Sequence, residues 1–99
     1  MTADPATLYK ILALDLWRRS QNQDRLELPV EDEVFIHLST EDQLERILKK
    51  FWSHTDAYVI LKVDPRKLPG RLLHETNPGG TQKYYHLYDG YIPLKAVVR

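Results

Sequence analysis

The sequence has no cysteine, one methionine and only four glycines. Without cysteine there is no disulfide framework, no thiolate zinc site, no iron–sulfur cluster and no cysteine nucleophile, so the core must hold without staples. GxGxxG, GxxxxGK(S/T) and GxSxG are also missing, which removes Rossmann dinucleotide binding, P-loop chemistry and the elbow-type hydrolases. The four histidines, His37, His54, His74 and His86, show neither HxxxH nor HExxH spacing, so no metal is expected. No apolar run approaches the roughly 18 residues that cross a bilayer. The start, MTADPATLYK, lacks the basic and apolar regions of an export signal. A soluble, cytoplasmic protein without a membrane partner is the expectation.

An excess charge of one sign is lacking too. Fourteen basic and fourteen acidic side chains cancel, so the overall field cannot gather nucleic acid, and none is expected as a partner. The balance is uneven along the chain. Residues 1–50 carry seven Lys/Arg against ten Asp/Glu, and residues 51–99 carry seven against four, so a small anion is better placed on the second half. With 99 residues there is room for one domain, 1–99, burying roughly two thirds of its unfolded surface. Residues 1–7 are expected to be a flexible extension.

What is present reads as short strands and two helices. Leu8 to Ala13 is an apolar and aromatic run with one lysine, suited to a strand. Asp15 can cap a short helix carrying Leu16 and Trp17. Leu26 to Glu33 is an acidic stretch containing Pro29 and no helical period, hence a loop. Val34 to Leu38 reads as a strand that runs into Ser39-Thr40-Glu41-Asp42-Gln43, where Thr40 and Gln43 have the spacing of a capping box. The helix beyond it sets Leu44, Ile47, Leu48, Phe51 and Trp52 on one stripe, and Leu48 and Phe51 are expected in the core. Ala57 to Val63 reads as a central strand, Leu72 to Glu75 as a short one, and Tyr84 to Tyr88 and Lys95 to Val98 as the last two, with Asp89-Gly90 as a turn. The fold class is α+β, with five or six short strands.

Two constellations carry candidate chemistry. Strand alternation puts Phe35, His37 and Ser39 on one face, with His37 and Ser39 roughly 6.5 to 7 Å apart at the mouth of a helix. Such a pair suits a ligand, although a histidine bonded to a carbonyl and a serine assisting a cap explain it as well. In the second, Tyr84, His86 and Tyr88 share a face of their strand, and aromatic rings beside a histidine suit a flat ring such as nicotinamide or a base. Tyrosines also fill sheets that bind nothing. Glu75, preceded by Arg71, is the only glutamate after Glu45 and can supply a carboxylate to a cationic centre, or form a surface salt bridge.

Taken in order, LYKI, Trp17, FIHLST with Gln43, YVILKVD, LLHE, the glycine pair and YHLYDGYIPLKAVV resemble the family called domain of unknown function 952. The resemblance implies a small ADP-ribosyltransferase-like fold, with two small, mainly antiparallel sheets and flanking helices. It implies a nucleotide partner such as NAD or ADP-ribose, with NAD as substrate, in a cleft lined by His37, Ser39, Arg71, Tyr84 and Tyr88. His37-Leu38-Ser39 looks like the His-x-Ser/Thr motif of that superfamily. A late glutamate supports its oxocarbenium-like centre; here Glu75 precedes the tyrosine strand and Asp89 follows it. Glu75, His37 and His86 are the candidate catalytic residues of an NAD-consuming transferase. The alternative is a non-catalytic module that binds a ligand or a protein through the same face. A shared cleft for His37 and His86, and an acid that reaches it, are what the transferase requires.

Overall fold

The computed structural model describes residues 5–98. Residues 1–4 of the expected N-terminal extension lie outside the described residues, and residues 5–7 lead directly into β1 (Leu8–Ala13). That strand has the limits its apolar run predicts. It pairs antiparallel with β3 (Tyr58–Val63), Leu8 opposite Val63. A second antiparallel sheet has the order β2 (Ile36–Leu38), β5 (Lys83–Tyr88), β4 (Arg71–Thr76). The described residues thus form a small α+β fold of five strands in two antiparallel sheets with two α-helices, α1 (Leu14–Ser20) and α2 (Leu44–Phe51).

A backbone bridge joins the sheets: Tyr9 and Ser39 exchange both hydrogen bonds, at 2.8 and 2.9 Å. Leu8, Leu12, Leu61 and Val63 of the first sheet then meet Ile36, Leu38 and Leu87 of the second, with Leu26, Ile92 and Val97 closing the core. Because side chains alternate along a strand, the surface of the second sheet opposite Ile36, Leu38 and Leu87 carries His37, His86 and Tyr88. One face of that sheet is core and the other is polar.

Several expectations are corrected. Asp15 lies within the first turn of α1, where its Oδ1 accepts from the Leu16 N–H, and the residue at the cap is Ala13. Val34 and Phe35 precede β2, and Val34 is exposed. Lys95–Val98 is not a strand: Leu94–Ala96 form a 3-10 turn, and only Val97 bridges to Val63. The expected central strand β3 has β1 as its one strand partner, beside that bridge. Thr40 and Gln43 do make a capping box, although the first turn, Glu41–Gln43, is 3-10. The largest difference is α2, which has no buried residue, and Phe51 is 58% exposed. The stripe is real but only half covered: Leu44, Ile47 and Leu48, the last expected in the core, are half-buried, and Trp52 packs on Tyr58 of β3.

Candidate functional site

β2 and β5 set His37 directly opposite His86. Their rings stand 5.6 Å apart edge to face, as register partners on one face must. Phe35 leans over the pair, stacked on His86 at 4.0 Å and tilted against His37 at 4.8 Å and Tyr88 at 5.3 Å. His37 and His86 therefore meet on one face, but His86 is fully buried there, so the face does not present the expected cleft open to both rings.

The two rings have different surroundings. His86 is fully buried, with Nδ1 3.2 Å from Glu75 Oε2 and Nε2 2.8 Å from Asn77 Oδ1. A carboxylate only accepts, so Nδ1 carries the hydrogen. Burial pushes the His86 pKa down, opposed by the bond to Glu75 and assisted by nearby His37. Burial thus disfavours the charged ring, although oxygens of Glu75 and Asn77 face both of its nitrogens.

Glu75 comes from β4, where it is the register partner of Tyr84. Its side chain reaches along the face, so that Oε2 accepts from the Tyr88 hydroxyl at 2.5 Å as well as from His86. The Tyr88 bond first, and the His86 bond second, hold the Glu75 carboxyl below its ordinary range, and the same bond raises the tyrosine. Glu75 is ionised at neutral pH and its side chain remains 36% exposed. Where the chain enters β4 and leaves β5, two glycines let the backbones pass closely: a Cβ on Gly90 would collide with the Pro69 carbonyl, and Gly70 has φ of 108°.

Beneath His37 lies a group that the pattern of the sequence did not single out. Asp32 ends the 3-10 turn Val30–Asp32, and its side chain is 1% exposed. Oδ1 accepts from His37 Nδ1–H at 2.7 Å, and Oδ2 is 2.6 Å from the ammonium of Lys10, itself buried. Lys10 Nζ also donates to the His37 carbonyl at 3.0 Å. Burial alone would raise the Asp32 pKa, but the His37 bond and the Lys10 charge prevail and lower it. One signal was available: alternation puts Lys10 on the same face as Leu8 and Leu12, where a lysine must find an anion.

The remaining candidates divide. Arg71 joins the rim, its Nε on Asp89 at 3.1 Å and its guanidinium 5.6 Å from the Tyr88 ring. Tyr84 faces away in function if not in alternation: its hydroxyl accepts from Arg46 of α2 at 3.1 Å. Ser39 is buried, and its backbone makes the bridge between the sheets. His37, His86, Glu75 and Tyr88 form the contiguous set, with Phe35, Asn77, Asp32 and Lys10 added by the tertiary structure. A groove beside Phe35 is bordered by Glu33, Asp89, Gly90 and Tyr91. Among the described residues no group of three or more histidines and acids could hold a metal ion, and no helix is long and apolar enough to cross a membrane.

A family model described as "Protein of unknown function (DUF952)" matches residues 11–99. Crystal structures of protein CC0527 from Caulobacter crescentus and of a double mutant of it are similar to this chain, at 30% and 29% identity. Each has a TM-score of 0.79 and covers 94% of this chain and 82% of its own. No curated protein matches.

Proposed function

The chain belongs to the DUF952 family, and from the site's geometry we propose that it is an ADP-ribosyltransferase-like protein that binds a nucleotide such as NAD and transfers its ADP-ribose. The observation that carries this reading is the position of Glu75. An ionised carboxylate stands on the same face as His37 and His86, oriented by the Tyr88 hydroxyl and by the Nδ1–H of His86. Breaking the bond between ribose and nicotinamide develops positive charge on the sugar, and a fixed anion beside that carbon lowers the barrier. A carboxylate already held by two donors needs no reorganisation at that moment.

The groove beside Phe35 supports the same reading. Phe35 lines it beside Glu33, while Asp89 is paired with Arg71 and Arg25 lies 3.7 Å over the Tyr91 ring, so the Phe35 ring and the Glu33 carboxylate are what it offers a flat cation such as the nicotinamide ring before it leaves. Arg71, exposed at the rim, suits a phosphate. Titration of NAD and of ADP-ribose, followed by backbone amide shifts, is expected to move Phe35, His37, Glu75, His86 and Tyr88. Glu75→Gln is expected to abolish release of nicotinamide while leaving NAD affinity nearly intact. NAD that binds with no turnover in the wild type would favour the non-catalytic module, and shifts confined to other surfaces would remove the nucleotide from this face.

A further inference from the structure

Glu75 accounts for the charge on the sugar but leaves the acceptor's proton without a destination. We infer that His37 is the proton acceptor of the site, with Asp32 and Lys10 as the positioning pair behind it. This inference deepens the transferase reading and rests on it for the identity of the reaction. Its physical basis stands apart from the nucleotide.

Asp32 takes the Nδ1–H of His37 at 2.7 Å, so the neutral ring has its lone pair on Nε2. The His37 side chain is 41% exposed while Asp32 is 1% exposed. The carboxylate is therefore sealed behind the ring. A carboxylate so placed is satisfied in charge by Lys10 at 2.6 Å and does not need a histidine. Burying that ion pair is also a costly way to fasten two sheets, because apolar side chains of similar volume stabilise as well or better. What the pair does that leucines cannot is fix one tautomer of His37 and, through Lys10 and the His37 carbonyl, the backbone that carries it. The groups facing the ring are Asp32 from the 3-10 turn, His86 from β5 and the Phe35 ring, with Lys10 from β1 on the His37 carbonyl and on Asp32 behind it.

The acceptor is of the hydroxyl or amine class, since those nucleophiles must lose a proton as they attack. The acceptor's oxygen or nitrogen bonds to the ribose carbon, and the bond from that carbon to nicotinamide breaks with its electron pair passing to the ring nitrogen. The acceptor's proton moves to His37 Nε2 and then to solvent. Neutral nicotinamide leaves.

The test begins without nucleotide. Nitrogen-15 NMR of the side chains is expected to find His37 as the Nδ1–H tautomer, and diethyl pyrocarbonate, which attacks an unprotonated ring nitrogen, is expected to modify His37 at least as fast as the more exposed His54 and His74. Asp32→Asn alone leaves Lys10 buried and unpaired, so the informative variant combines it with Lys10→Met. In that protein, with its fold verified by the amide spectrum, the tautomer should be lost and modification of His37 slowed on the order of tenfold or more, as when an orienting partner of a histidine is removed. With NAD, the same variant should lower kcat and leave KM unchanged, which a purely structural role would not do. An Nε2–H tautomer in the wild type, or reactivity unaffected by loss of the pair, would overturn the inference. A protein that shows the expected tautomer and reactivity but ignores NAD would overturn the transferase reading alone.

Discussion

The three-stranded sheet and helix α2 reverse the usual sorting of side chains. The residues buried around the sheet include Lys10, Asp32, Ser39, Gln43 and His86, whereas α2 has no fully buried residue, half-buries Leu44, Ile47 and Leu48, and leaves Phe51 more than half exposed. Most exposed apolar residues need no explanation, but buried charge does, because each ion must be paired to be tolerated at all. The comparison teaches where this chain spends stability. Its buried charges are paired, Asp32 Oδ2 meeting Lys10 as an ion contact without a hydrogen bond, and its most regular apolar stripe contributes little to the core.

The largest effect that could break this contrast is on the ion pair. Asp32→Asn alone is expected to cost about 3 to 5 kcal/mol, because Lys10 remains buried without its anion. Lys10→Met with Asp32→Asn should recover most of that loss. Denaturant unfolding measures both, and a single variant within 1 kcal/mol of wild type would mean that the pair is not sealed from water.

A smaller effect concerns His86. Its native pKa lies below the ordinary value near 6.5, so the unfolded chain binds a proton first as the pH falls. Stability is therefore complete above about pH 6.5 and declines below it, by at most about 1.4 kcal/mol per pH unit for one group. Asp32 and Glu75, also lowered, add a further loss below about pH 4. Thermal unfolding from pH 7.5 to 5 should show the first decline, and His86→Gln should flatten it. An unchanged decline in that variant would assign the titration elsewhere.

The smallest effect belongs to the helix. Phe51→Ala is expected to cost about 0.5 kcal/mol, not the 3 to 5 of a core aromatic. A core-sized loss would show that the stripe is covered in solution.

Much of this was legible along the chain. β1 has the limits its apolar run sets, Thr40 and Gln43 mark the entry to α2, and alternation puts His37 and the His86–Tyr88 pair on one kind of face. Asp32 was hidden in an acidic loop with no period, and Asn77 in a glycine turn, so neither carried a pattern. Lys10 did carry one, as the polar member of an apolar face. The failed strand at Lys95 to Val98 has the β-branched residues of a strand but finds only one bridging partner.

The sequence by itself determined the local elements, their inner and outer faces, and the residue types available for chemistry, because helix and strand periods act over a few neighbouring residues. Only the tertiary structure decided that His37 would stand opposite His86, that Glu75 would reach Tyr88, that Asp32 would close beneath His37, and that α2 would be only half covered. Those outcomes depend on register and packing between segments far apart in the chain. A stripe records which face of a helix is apolar, and it holds no information about what, if anything, comes to rest upon it.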